Sequence, residues 1–208
     1  AVIEARGVGK RYGATWVLRD LRFRAAPGEV LLLLGDNGAG KTTLLRAILG
    51  ITEYEGSIEV DGLEALSHGR EVRRRIGYMP QSGGLHLDLS VAETVRFYAG
   101  LRGVPGEIAR ERLRSVGLEE RETARVGELS IGMRQRLVFA VATLSDPPIL
   151  LLDEPTASLD AGSRALLVER LRELAGRGKT VVLSTHSERD LAGIATRAVR
   201  LEEGRLAA

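Results

Sequence analysis

Apolar residues fall along this chain in two rhythms. Val30-Leu31-Leu32-Leu33-Leu34, Ile149-Leu150-Leu151-Leu152 and the stretch Val181 to Ser184 are short continuous apolar runs with no polar alternation. A strand covered on both faces, as in the middle of a parallel sheet, reads this way. Elsewhere the repeat is helical: Leu44, Leu45, Ile48 and Leu49 recur one turn apart within Thr42 to Leu49, before a terminating Gly50, and Leu167, Leu171 and Leu174 share a face of the segment Arg164 to Leu174. Further strands are expected at Val2 to Arg6, Ser57 to Val60, Ile76 to Met79 and Ala198 to Leu201. Strands that alternate with helices predict an α/β fold with a mainly parallel sheet. The early strands, separated by Gly-containing turns such as Asp61-Gly62, predict an antiparallel patch beside that core.

Between Gln81 and Pro147 only the helical rhythm remains. Ser90 and Glu93 have the spacing of a capping box for a helix carrying Val95, Tyr98 and Leu101; Gly103-Val104-Pro105-Gly106 ends it, and a second helix holds Ala109, Leu113 and Val116. The expected organisation is one domain, with a core over about residues 1–81 and 147–208 and an all-helical subdomain over about 82–146. At 208 residues the chain can bury one substantial core, and two full domains would be cramped. No run approaches the roughly twenty apolar residues needed to cross a bilayer, and the opening AVIEARGVGK has no apolar signal core, so a soluble, cytoplasmic protein is expected. The absence of cysteine excludes disulfides, thiolate metal sites and thiol nucleophiles. Thirty basic residues, 27 of them arginine, nearly balance 28 acidic ones; the net charge of +2 gives little long-range attraction for nucleic acid, and none is expected as a partner. Arg70 to Arg75, broken by Glu71 and without interleaved aromatics, reads as a solvated face. His68 and His86 read as exposed or partly satisfied side chains, Met79 and Trp16 as packing residues.

The candidate chemistry starts at Gly35-Asp36-Asn37-Gly38-Ala39-Gly40-Lys41-Thr42, directly between the Val30 to Leu34 strand and the following helix. This is a P-loop pattern in its required strand–loop–helix context, so the core is expected to be of the P-loop NTPase type. Glycines let a tight turn aim backbone N–H groups at phosphates, and the helix N-terminus adds partial positive charge. Gly35, Asn37, Gly38, Ala39 and Gly40 would form the cradle, Lys41 would reach the β and γ phosphates of ATP, Thr42 would hold Mg²⁺ through its hydroxyl, and Thr43 would add a donor. Asp153-Glu154-Pro155 follows the apolar strand Ile149 to Leu152, placing two carboxylates at the C-terminal sheet edge, where such sheets bind ligands. Asp153 would enter the Mg²⁺ shell opposite Thr42, and Glu154 would polarise the water that attacks the γ phosphate.

The line Leu129-Ser130-Ile131-Gly132-Met133-Arg134-Gln135-Arg136 resembles the signature motif of ABC ATPases. That family's signature serine and following backbone contact the γ phosphate of a nucleotide held by a second subunit, and Ser130 and Gly132 match those positions. The usual form is LSGGQ. Here Ile131 replaces a glycine and would resist a positive φ, and Met133 replaces glutamine and offers no amide. Other positions follow in the family's order. Gln81 resembles the Q-loop glutamine that senses Mg²⁺ and the attacking water, and Ser158-Leu159-Asp160 the D-loop that crosses to the partner's site. His186 resembles the switch histidine that orients Glu154, and Tyr12 the A-loop aromatic that stacks on adenine. Read one at a time, Gln81 is equally a loop amide, Asp160 a helix cap, His186 a surface imidazole and Tyr12 a core ring.

The resemblance spans Tyr12 to His186. It implies an ATP-hydrolysing subunit of an ABC transporter, peripheral to the cell membrane through integral membrane transporter subunits, that closes as a head-to-tail homodimer around ATP. Leu89-Ser90-Val91-Ala92-Glu93, the GMRQRL run and the short C-terminus resemble small ABC-2-type or copper- and haem-related export ATPases. The alternatives are a non-transport ABC ATPase acting on nucleic acid or ribosomes and a nucleotide-gated interaction module.

Overall fold

The computed structural model describes residues 1–207 apart from 82, 83, 158, 188–190 and 192. Its elements are β1 (Ile3–Tyr12), β2 (Thr15–Ala25), β3 (Val30–Leu34), α1 (Lys41–Ile48), β4 (Glu55–Val60), β5 (Leu63–Glu64), α2 (Gly69–Arg75) and β6 (Ile76–Met79). They are followed by α3 (Val91–Arg102), α4 (Gly106–Ser115), α5 (Ile131–Ala142), β7 (Ile149–Asp153), α6 (Ala161–Gly176), β8 (Thr180–Thr185), β9 (Arg197–Glu202) and β10 (Arg205–Ala207). A six-stranded sheet has the order β10-β9-β3-β8-β7-β6; all its neighbours are parallel except the edge pair β9–β10. A four-stranded antiparallel sheet, β2-β1-β4-β5, stands beside it. The fold is α/β, with a mainly parallel P-loop NTPase sheet and an antiparallel sheet near the N-terminus.

The continuous apolar runs supply two cores at once, because successive strand residues point to opposite faces. Leu31 and Leu33 of β3, with Ile149 and Leu151 of β7, pack with Leu44, Leu45 and Ile48 of α1 and with Ile3 and Ile58 of the antiparallel sheet. The alternate residues Leu32, Leu34, Leu150 and Leu152 pack on the other face with Leu137 and Phe139 of α5 and with Leu167 and Leu171 of α6. Both faces need cover, so no polar residue interrupts these strands. The hairpin at Asp61-Gly62 closes β4 on β5 with both turn residues at positive φ, 50° and 76°, as a two-residue turn of Asp-Gly type requires.

Two expectations change. β2 is an additional long strand. Its pairing with β1 shifts register three times, and its buried residues Leu18, Leu21 and Ala25 lie three and four apart, so period-two alternation is lost. The arginine cluster forms α2 and faces solvent, as expected, and from the surface Arg73 donates to the carbonyls of Leu49 (3.1 Å) and Gly50 (3.4 Å), which close α1. Leu101 is exposed, because the inner face of α3 runs through Val91, Val95 and Ala99. A spacing of four tracks a helix stripe more closely than the spacing of three in Val95, Tyr98 and Leu101. The capping box of α3 is present, with Glu93 N donating to Ser90 Oγ and Ser90 N to Glu93 Oε2. Among the described residues, no helix is long and apolar enough to cross a membrane.

Candidate nucleotide site

The loop between β3 and α1 turns on two glycines with left-handed backbone, Gly38 at φ 84° and Gly40 at φ 103°. A Cβ on Gly40 would also lie 2.8 Å from the Val17 carbonyl, so both the turn and the approach of β2 demand glycine there. Nothing stands within 4 Å of the corresponding position at Gly38, which faces open space. Gly35 is pressed against the Leu201 carbonyl, 2.6 Å from where its Cβ would be, and Ala39 N donates to Asp36 O to close the turn. A cavity of about 150 Å³ results, lined by Asn37, Gly38, Gly40, Lys41, Thr42 and Thr43 from the loop, with Val17, Gln81, Asp153 and Glu154 around it.

Lys41 is 6% exposed and folds back into the loop, its Nζ donating to the carbonyls of Gly35 (2.6 Å) and Asp36 (3.1 Å). Asp153, at the end of β7, is 1% exposed. Its Oδ2 accepts from Thr42 Oγ1 at 2.7 Å and its Oδ1 from Ser184 Oγ at 2.5 Å. Burial, and then the charge of Asp153, raise the Tyr78 phenol above its usual pKa. Glu154 has φ 49°, a left-handed conformation costing a non-glycine residue about 1 kcal/mol or more. It is held there because its N–H donates to both the carbonyl and the Oγ of Ser184, at 3.1 and 2.9 Å. The two carboxylate oxygens of Glu154 differ. Oε2 lies 2.9 Å from His186 Nδ1, whereas Oε1 is 3.2 Å from Lys41 Nζ with no hydrogen-bond partner.

These groups suit Mg²⁺ delivered with a triphosphate. Among the described residues no cation pairs with Asp153, and no group of three carboxylate or imidazole side chains could hold a metal alone. One hydroxyl and one carboxylate, completed by phosphate oxygens and water, form the kind of partial shell that Mg²⁺ usually takes.

The remaining predicted positions lie outside that cavity. Tyr12, half-exposed where β1 turns into β2, carries Lys10 Nζ 4.9 Å above its ring centroid. Trp16, opposite Arg11 in the hairpin, is half-buried under that guanidinium, and its neighbour Val17 is the hairpin residue that reaches the cavity. Ser130 is exposed and caps α5, its Oγ accepting from Met133 N at 3.2 Å. Ile131 is the first residue of that helix and has no positive φ, so the backbone difficulty expected of a β-branched side chain does not arise. Met133 turns its side chain onto the core. Asp160 caps α6, accepting from Ser163 N and Ser163 Oγ; these bonds, the backbone one foremost, lower its pKa. Ser158 lies outside the described residues. Ser184, which donates to the Asp153 carboxylate and accepts from the Glu154 backbone N–H, and Val17 carry no motif. The only hint of Ser184 was a hydroxyl closing an apolar strand just before His186.

A family model described as ABC transporter matches residues 18–157. Nod factor export ATP-binding protein I of Burkholderia pseudomallei (strain 1710b) is 43% identical over 210 residues, spanning 99% of this chain and 69% of that protein. The protein of the same name in Rhizobium etli is 40% identical over 208 residues, spanning 98% and 66%. Among solved structures, one titled as the ATP binding subunit of an ABC transporter superposes with TM-score 0.91 at 31% identity, covering all of this chain and 89% of that one. The dimeric bacterial ABC transporter cassette MJ0796 superposes with TM-score 0.90 at 27% identity, covering 99% and 97%. With a strand–loop–helix cradle, two buried carboxylates at the facing strand end and these likenesses along its whole length, the chain belongs to the ABC transporter family and has the fold of that family's ATP-binding cassette.

Proposed function

We propose that this chain binds and hydrolyses ATP with Mg²⁺, as the cytoplasmic ATP-binding subunit of an export transporter whose membrane-spanning parts are separate polypeptides. The observation that carries it is the state of Glu154. Its carboxylate is buried and braced by His186 on one oxygen, and the other oxygen accepts no hydrogen bond and is held only by the charge of Lys41, 3.2 Å away in the P-loop. A general base needs an oxygen able to accept a proton from water, and this one would be released when Lys41 turns to the phosphates. The loop's backbone N–H groups and Lys41 would bind the β and γ phosphates, and Lys41 would exchange its carbonyl partners for phosphate oxygens. Thr42 and Asp153 would hold Mg²⁺, with Gln81 at the rim. The ion, when bound, neutralises phosphate charge and orients the γ phosphate for in-line attack. Glu154 would draw a proton from the attacking water while His186 keeps its carboxylate in place.

A second copy completes the site. Ser130 and Gly132 at the tip of α5, and Asp160 at the tip of α6, stand outside the chain's own cavity, and Ser130 and Asp160 are exposed. The dimeric MJ0796 cassette supports a head-to-tail pair in which each copy offers these tips to the nucleotide of the other, with Tyr12 beneath the adenine. ATP would then draw two copies together, hydrolysis would release them, and the helical subdomain over about 82–146 would pass the motion to the membrane subunits. The names of the relatives support export.

The test is Glu154→Gln, which keeps shape and removes the base. Hydrolysis should fall by about 100-fold or more, while ATP binding persists and a dimer forms only with ATP, as read by size-exclusion chromatography. Turnover at the wild-type rate in this variant overturns the assignment.

A further inference from the structure

Gly132 and Ser163 meet where the tips of α5 and α6 touch. A Cβ built on Gly132 would lie 2.7 Å from Ser163 Oγ, 3.2 Å from Asp160 Oδ2 and 3.3 Å from Ser163 Cβ. Gly132 has no positive φ and sits inside α5, so its own backbone conformation does not require glycine. The close approach of Ser163 favours it: a methyl there would force Ser163 Oγ away from its bond to Asp160. The same Oγ donates to Asp160 Oδ2 at 2.8 Å while the Ser163 N–H donates to Oδ1 at 2.9 Å, so a single residue engages both oxygens of the carboxylate. The contact continues inward, where Phe139 of α5 and Leu167 of α6 share the core with Leu159.

We propose that Ser163 is a positioning residue that locks the first turn of α5 to the cap of α6, so that Ser130, Gly132 and Asp160 are presented to the second copy as one rigid tip. This rests on the function proposed above. Ser163 itself touches no nucleotide; it acts by fixing the Asp160 carboxylate and by setting how near α6 lies to Gly132. A close contact between two elements is expected to show as non-additivity between substitutions on either side of it.

The experiment is a double-mutant cycle on the full chain, read as ATPase rate against protein and ATP concentration and as ATP-dependent dimerisation in the Glu154→Gln background. Gly132→Ala forces its methyl against Ser163 Oγ and should lower turnover by about tenfold or more, with nucleotide affinity of the monomer unchanged. Ser163→Ala keeps the backbone half of the cap, so the helix still forms; it should lower turnover by a few-fold and weaken dimerisation. Combining the two removes the Oγ that the new methyl strikes, and turnover should recover at least about threefold over Gly132→Ala alone. Circular dichroism melts identify any variant that fails to fold, and Ser163→Thr, which restores the hydroxyl, should then restore the dimerisation weakened in Ser163→Ala. Losses that simply add, with no recovery in the double variant, overturn the coupling even though the wild type hydrolyses ATP. A wild type with no ATPase overturns the functional proposal and this inference with it.

Discussion

Ser184→Ala is the substitution whose effect the geometry specifies most closely. Ser184 is wholly buried near the end of β8, in register with Asp153, and its Oγ donates to Asp153 Oδ1 at 2.5 Å while accepting from Glu154 N at 2.9 Å. Removing the oxygen deletes a hydrogen bond to a charged acceptor, worth about 1.5–3 kcal/mol, and leaves Oδ1 with no other hydrogen-bond partner among the described residues. Two features limit the loss. Thr42 still donates to Oδ2, and Glu154 N still reaches the Ser184 carbonyl at 3.1 Å. The expected cost is therefore about 2 kcal/mol, or roughly 4–8 °C in Tm for a domain of this size. Urea unfolding should show a lower midpoint with an unchanged slope. In a cycle with Asp153→Asn, most of the loss should vanish, because it belongs to the pair. A variant within about 0.5 kcal/mol of wild type, the range of an ordinary surface substitution, would refute the assignment of Ser184 as the clamp between the Asp153 carboxylate and the Glu154 backbone.

Lys41→Ala should abolish nucleotide binding and also destabilise the ligand-free protein by about 3–5 kcal/mol, because Glu154 stays buried without its counter-charge. Titration of a fluorescent ATP analogue reads the first effect and urea unfolding the second; equal stability of variant and wild type would sink the second claim. Asp146 supplies a pH test. Its burial acts to raise the pKa, but the hydrogen bond and charge of Lys179 and the charge of Arg112 outweigh that and hold the carboxyl below its ordinary 3.8. The native value is depressed, so the stabilisation is complete above the unfolded value and is lost as pH falls through the native one. Asp146→Asn should be less stable than wild type at pH 6, and the gap should narrow in acid; a gap independent of pH would argue against the pairing.

The parts legible from sequence are those whose causes are local. A P-loop can be read because its glycines, lysine and threonine answer conformational and chemical needs within eight residues. The apolar runs of β3, β7 and β8 announce strands covered on both faces because any polar residue there would be buried. Asp153 and Glu154 stand out as charges at the end of such a run. β2 was missed because a bulged strand has no steady period. Leu101 was misplaced because three-residue spacing drifts around a helix. Ser184 was missed because a lone hydroxyl in a strand has no meaning until β8 lies beside β7.

By itself, the order of residues determined the strands and helices with a steady apolar period, that both faces of the central sheet are covered, and which short stretch can cradle phosphate. Only the tertiary structure decided that Lys41 and Glu154 form a buried ion pair, that Ser184 joins the Asp153 carboxylate to the Glu154 backbone, and that the tips of α5 and α6 meet at Gly132 and Ser163. The division is physical. Turn chemistry and periodicity act over a few neighbours along the chain, whereas these contacts join residues some 30 to 110 positions apart, and their distances are set by how whole elements pack.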